Sequence, residues 1–359
     1  PSSEELLEIG KQARDARALG LAARPIRGYL NGVAGRYAAF RRARQADGAW
    51  YQSGSRAIAE VEPLEVDLML ARGISVVHEV FREGIRRGFN FEELEQITSV
   101  RSIFANQILV DEVTDFSPLQ LKAIKSLSYP AINAIFVSGD FNQRITGAGL
   151  KDRSELLWAV PDVEVVNVSI GYRQSRQLYE FSKVLVDGLD GDKLEYRLPA
   201  DFDMEGYSPV ASRNMADYEI TAQWLGQRIL EIEKDVQRLP SIAVLVAAED
   251  DVVPVANALG RVLEADNINV RACQHGEVRG KEGDVRVFNV EHIKGLEFEG
   301  VFFIDVDRLE ESLEDMAGRY LYVGSTRAAS FLGVTVSGDV MPPSLRAVEH
   351  LFGENWAAQ

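Results

Sequence analysis

Ile108-Leu109-Val110-Asp111-Glu112-Val113-Thr114-Asp115-Phe116 is the stretch that decides the fold class. Three consecutive apolar residues suit a short strand covered on both faces, and two carboxylates emerge at its tip. The same pattern recurs downstream. Ile135-Phe136-Val137 stops at Ser138-Gly139-Asp140, and Val163 to Val168 precedes Ile170-Gly171-Tyr172-Arg173. Further runs fill 242–246, 285–290, 301–304 and 332–336. Helical stretches at 117–128, 174–187, 217–237 and 250–266 separate them, which is the alternation a parallel sheet requires. The class is α/β. Upstream, the first hundred residues read as helices rich in Arg, Ala and Glu, punctuated by Gly48-Ala49-Trp50-Tyr51.

Composition bounds the function. The chain has 359 residues, 46% apolar and 26% charged, enough for two or three domains. Its apolar runs all fall short of the roughly 20 residues a membrane helix needs, and the N-terminal residues lack a signal-peptide pattern, so a cytoplasmic protein without a membrane partner is expected. Cys273 is the single cysteine, which excludes intramolecular disulfides and multi-thiolate zinc sites. The histidines, His78, His275, His292 and His350, are scattered without metal-ligand spacing. A net charge of −16 opposes nucleic-acid binding over the whole surface. Residues 1–50 run the other way, with nine basic side chains against five acidic, so a polyanion contact is expected there if anywhere, although solvated helix faces explain it equally well.

In doubly wound sheets, ligands sit at the carboxyl ends of the strands, where the chemistry-bearing residues of this chain cluster. Asp111 can hold Mg²⁺, usually through water, while Glu112 polarises an attacking water; a solvated turn is the plain alternative. Gln143, after Phe136-Val137-Ser138-Gly139-Asp140-Phe141-Asn142, suits a terminal phosphate or an Asx-type turn. Arg173 at a strand-to-helix junction suits phosphate or a surface ion pair. In His292-Ile293-Lys294-Gly295-Leu296-Glu297-Phe298-Glu299, Gly295 lets the backbone approach a ligand and Glu297 can accept from a ribose hydroxyl. Arg327 follows a small-residue turn in Tyr320-Leu321-Tyr322-Val323-Gly324-Ser325-Thr326-Arg327-Ala328 and can reach a triphosphate.

Singly these stretches are ambiguous, but their order is not. Across residues 108–328 the set resembles motifs II to VI of superfamily 1 helicases of the UvrD/Rep-like branch, in the forms DExxD, GDxxQ, YR, KGLEF and YVxxTRA. The resemblance implies two RecA-like motor domains closing on ATP and moving along single-stranded DNA. It gives Asp111 the Mg²⁺, Glu112 the water, Gln143 and Arg173 the γ-phosphate, Glu297 the ribose and Arg327 the phosphates. It divides the chain into a helical insertion-like segment (1–105), a partial first motor domain (106–166), a second motor domain (167–345) and a tail (346–359). A nuclease or other protein partner fits a compact motor, because the segment between Arg173 and Lys294 has no room for a large accessory domain.

The departures matter as much. No G-x-x-x-x-G-K-[ST] loop occurs in the chain, and the glycine clusters Gly28–Gly35 and Gly147–Gly149 lack the following lysine. With Pro1 in place of an initiating methionine, this implies a piece of a longer protein, inactive alone toward ATP. Thr114 stands where the family has glutamine, and Glu291 where many members have histidine. Thr146-Gly147-Ala148-Gly149 occupies the place of aromatics that stack on bases. A helicase-like binding or regulatory module acting through a partner is the competing reading.

Overall fold

The computed structural model describes residues 2–49, 62–91, 101–168, 173–189, 197–199, 202, 204–313 and 316–356, and leaves the side chains at 14–31, 33 and 34 outside that description. Two compact units form. The first is Pro1–Gly139 with Ala148–Glu164; the second is Asp140–Gly147 with Val165–Gln359.

The first unit opens with two helices, as expected. Helix α1 (Ser3–Ala46) starts at a capping box in which Ser2 accepts from the Glu5 N–H and Glu5 accepts from the Ser2 N–H. Helix α2 (Pro63–Arg86) starts at a proline, whose missing N–H is no loss in a first turn. A buried ion pair of 2.5 Å, Arg41 with Glu65, joins them. Strand β1 (Gln107–Val110) then leads through helix α3 (Pro118–Lys125) to strand β2 (Ala134–Val137), and helix α4 (Arg153–Ala159) closes the unit. The strands pair in parallel, with Leu109 opposite Phe136 and Val110 opposite Val137. This sheet is not covered on both faces: Val110 is buried, but Leu109 and Phe136 are 68% and 59% exposed. Beside it, Val77, Phe81 and Phe91 form a small aromatic core with Phe104 and Phe89.

The second unit is a six-stranded parallel sheet between helical layers, an α/β arrangement as expected. Its elements in order are α5 (Arg176–Asp187), β3 (Val210–Ser212), α6 (Tyr218–Val236), β4 (Ile242–Val246), α7 (Val252–Leu263), β5 (Val270–Cys273), β6 (Val285–Asn289), β7 (Phe298–Phe303), α8 (Val306–Ser312), α9 (Ala317–Ser325), β8 (Ala328–Thr335) and α10 (Pro343–Arg346). The strand order is β3-β8-β7-β4-β6-β5. Every residue of the central β4 is buried, and its side chains alternate between two apolar layers. Ala243 and Leu245 pack with Leu178, Phe181 and Val323, whereas Ile242, Val244 and Val246 pack with residues such as Leu225, Ile229 and Leu259.

Two expectations need correction. Val163–Val168 forms no strand; it runs as irregular chain with Val166 and Val168 more than three-quarters exposed. No neighbour takes up its backbone groups in a ladder, so β propensity alone does not make it a strand. Conversely, β3 and β5 were not foreseen, and they are the two edges of the large sheet. Residues 169–172, including Tyr172 of the fourth motif, lie outside the described residues, as do Trp50 and Tyr51.

Candidate functional site

In the first unit, the tips of β1 and β2 are laced together. The Ser138 N–H donates to the Val110 carbonyl at 2.8 Å, and the Val113 N–H donates to the Ser138 carbonyl at 2.8 Å. Gly139 makes this approach feasible: a Cβ there would lie 2.9 Å from Val113 Cγ1 and 3.0 Å from its nitrogen. The Ser138 hydroxyl donates to Asp111 Oδ1 at 2.7 Å, which fixes the carboxylate at the solvent-facing end of the strand. Glu112 comes next, in the left-handed region at φ 51°, a conformation that costs a non-glycine residue about 1 kcal/mol or more. Val113 and Thr114 are buried, so the turn throws the two acids outward and anchors the chain leading into α3. Asp111 is a hard oxygen donor held by a neutral hydroxyl, and such a carboxylate fits Mg²⁺ bound largely through water. Among the described residues, no group of three or more His, Cys, Asp or Glu side chains is placed to hold a metal ion by itself.

In the second unit, residues of four sequence motifs are linked by side-chain contacts. The Asp140–Gly147 segment belongs to this unit. Asp140 Oδ1 accepts from the Asn142 N–H at 2.9 Å and opens the short turn Phe141–Gln143. Arg319 of α9 donates to the Phe141 carbonyl at 3.3 Å. Arg327, only 4% exposed, donates from Nη2 to the Gln143 side-chain oxygen and from Nε to the Val323 carbonyl at 3.3 Å. Gln143 and Arg327 are 184 residues apart in sequence, yet share a hydrogen bond. Asn142 and Tyr322, each close in sequence to one of that pair, are both buried and hydrogen-bonded side chain to side chain. Burial pushes the Tyr322 phenol well above its ordinary value, with Asp140 adding to the rise and Asn142 and Arg327 opposing it. It therefore stays neutral.

Arg173 and Glu297 are brought together as a 2.5 Å ion pair, each about half exposed. Gln174, next in line, donates from its amide to the Ser325 carbonyl at 2.9 Å and the Ala328 carbonyl at 3.3 Å, tying the start of α5 to the end of α9. Gly295 adopts φ 79°, with open space where a Cβ would stand, so the backbone there is accessible and its conformation favours glycine. Asn142, Tyr322, Arg319 and Gln174 were not singled out from the sequence. A tyrosine inside the otherwise apolar Leu321–Val323 helix turn was the available signal, because a buried hydroxyl needs a partner.

The carboxyl ends of β4 and β7 carry a further polar cluster. Asp305 sits in the left-handed region at φ 53°, 7% exposed, with Arg308 Nη1 3.7 Å from its Oδ2. Burial raises its carboxyl to about 6, with Asp307 and Asp251 adding to the rise and Arg308 opposing it. Of the basic residues in 1–50, Arg41 is committed to Glu65, and the side chains of Arg14, Arg17, Arg24 and Arg27 lie outside the described residues. Among the described residues, no helix is long and apolar enough to cross a membrane.

Comparison with known proteins places part of this unit. Residues 284–335, which include Gly295, Glu297 and Arg327, match the family model of the UvrD-like helicase C-terminal domain. No curated protein sequence matches the chain. Among solved structures, the C-terminal domain of a possible DNA helicase from Lactobacillus plantarum WCFS1 is similar over 52% of this chain and 99% of that one, at 19% identity and TM-score 0.39. The arterivirus nonstructural protein 10 helicase, solved with DNA, is similar over 69% of this chain and 42% of that one, at 14% identity and TM-score 0.35. At these scores both are distant likenesses.

Proposed function

With residues 284–335 a UvrD-like helicase C-terminal segment, we propose that this chain is the C-terminal part of an ATP-dependent DNA helicase or translocase that couples ATP hydrolysis to movement on single-stranded DNA. The observation that carries the reading is the hydrogen bond between Gln143 and Arg327. Two residues far apart in sequence, each suited to a γ-phosphate, are held side by side, and the planar guanidinium suits phosphate oxygens. Asp111 would hold Mg²⁺, which would supply charge neutralisation at the phosphates. Glu112 takes a proton from the attacking water, Arg173 and Arg327 stabilise the charge that develops on the phosphate, and Glu297 accepts from the ribose. In this role the Arg173–Glu297 pair separates its tasks: the guanidinium turns to phosphate and the carboxylate to sugar. A cytoplasmic setting goes with ATP as substrate.

The chain contains no phosphate-cradling loop with its lysine. Loss of a single preorganised electrostatic contact typically costs about 3–4 kcal/mol of catalysis, so turnover by this chain alone is negligible. The second reading is a helicase-shaped binding or regulatory module that acts through a partner protein. Phosphate release measured with malachite green should stay at the background level, and Mg²⁺-dependent turnover that vanishes in Glu112→Gln would refute the inactivity. A fluorescent ATP analogue separates the two readings. Weak binding that is further weakened in Arg327→Ala supports the motor; no binding, or binding indifferent to Arg327, supports the module.

A further inference from the structure

We infer that Trp158, Lys122, Lys125 and Arg82, on one face of the first unit, form a docking site for single-stranded nucleic acid, with a base stacked on the indole and phosphates on the cations. The inference rests on the nucleic-acid part of the proposed function and puts the contact on α2, α3 and α4 rather than on the basic stretch 1–50. Trp158 is 49% exposed, unlike Trp224 and Trp356, which pack in the core of the other unit. The Lys122 ammonium stands 4.1 Å from the centre of its ring. Lys125 lies one turn further along α3, on the same face as Lys122.

The cations are crowded. The Lys125 ammonium is held below its ordinary value, by burial first, with Arg82 and Lys122 pushing the same way and Asp162 opposing them. Arg82 and Lys125 both press on the neighbouring His78, with Glu79 opposing. Glu83, next to Arg82 on α2, is taken up by Arg86 and Arg87 at 2.7 and 2.6 Å. Three cations thus gather beside Asp162 and Glu79 on a protein whose net charge is −16. A lysine resting on an indole is by itself an ordinary packing contact worth about 1 kcal/mol. Packing gives no reason for two further cations to collect there, or for the ring to remain half exposed.

A single strand matches both features at once, since each nucleotide offers a flat ring and a negative charge in succession. An acidic peptide would answer the cations and leave the indole unused. A membrane surface would call for more apolar side chains around Trp158 than one indole provides.

The test is fluorescence anisotropy of a labelled oligothymidylate of about 12 nucleotides, within the site sizes of simple single-strand binders, titrated with the full chain at low salt. Trp158→Ala should weaken binding about tenfold, while Trp158→Phe, which keeps an aromatic face, should bind within about threefold of the parent. The double variant Arg82→Gln, Lys125→Gln should flatten the slope of log Kd against log salt by about 1.4. Circular dichroism melting of each variant separates lost binding from lost folding. If Trp158→Ala binds as the parent does, the site is overturned and the helicase reading stands with its contacts elsewhere. If the parent binds no oligonucleotide even at low salt, the site and the nucleic-acid part of the reading fall together. Inorganic tripolyphosphate is the second arm. Its binding should be indifferent to Trp158→Ala, and an equal loss there would overturn the stacked base.

Discussion

The two sheets obey the same sequence grammar and end differently. In the second unit, β4 is buried along its whole length and sends side chains into two apolar layers. In the first, β1 and β2 pair in the same parallel fashion, yet Leu109 and Phe136 meet on a face open to solvent. An apolar run that finds a neighbour to pair with therefore becomes a strand; what covers the strand is decided elsewhere in the chain. The contrast is sharpest at two phenylalanines, Phe136 and Phe302. Phe302 is fully buried, edge-on to Trp224 at 6.1 Å and to Trp356 at 5.9 Å. Phe302→Ala should destabilise the second unit by about 3–5 kcal/mol. Urea unfolding followed by tryptophan emission checks this, since Trp224 and Trp356 both report on that core. A loss below about 1 kcal/mol would mean that the sheet collapses around the missing ring, and the distinction between the sheets would weaken.

Legibility followed continuous apolar runs that find a pairing neighbour, whether or not the strand is covered. Strands β1, β2, β4, β6, β7 and β8 and the four helices expected after residue 116 stand where the apolar runs put them. The two strands missed, β3 and β5, are the edges of the large sheet. Edge strands bury one side less, so their sequences, Val210-Ala211-Ser212 and Val270-Arg271-Ala272-Cys273, carry no continuous apolar signal. Val163–Val168 failed in the opposite sense, with strand-like residues but no neighbour to pair with. Asp111, Gln143, Arg173, Glu297 and Arg327 were each visible as polar residues at the ends of strands or helices. Their pairings were not. Whether Gln143 meets Arg327, or Arg173 meets Glu297, depends on which loops the fold brings together, and local spacing carries no such information. Asn142 and Tyr322 lay inside the motif stretches themselves, hidden because their value is to each other.

The two units should also answer acid in opposite directions, an effect of intermediate size. Asp305 in the second unit is raised from 3.8 to about 6, mainly by burial. Its folded state holds the proton more tightly than its unfolded state. The associated stability is complete below about pH 4 and is lost as pH rises through 6, about 3 kcal/mol in total. Asp305→Asn should abolish that slope and leave the second unit more stable at neutral pH. His78 in the first unit is lowered, by burial first and then by Lys125 and Arg82. Its contribution is complete above pH 6.5 and is lost as pH falls through the lower folded value. His78→Gln should remove it. Stability of the parent between pH 4 and 7, read for each unit separately by hydrogen exchange of its own peptides, should show the first weakening and the second strengthening toward acid. Parallel slopes in the two units would break the comparison.

The smallest expected effect bears most directly on the open sheet. Leu109 and Phe136 face one another across β1 and β2, so ring and methyls already shield some surface from water. At more than half exposure, little of that burial is lost on substitution, and threonine brings a branched Cβ that suits a strand. Leu109→Thr and Phe136→Thr should each change the stability of the first unit by less than about 0.5 kcal/mol, the range of surface substitutions. Removing both should lessen self-association, because an exposed apolar pair on a two-stranded sheet is a surface that other chains can cover. Sedimentation of parent and double variant at matched concentration reads the second effect, and urea unfolding reads the first. If the double variant instead lost several kcal/mol, as Phe302→Ala should, the outward face of β1 and β2 would be covered in solution, and the two sheets would differ in what covers them rather than in whether they are covered.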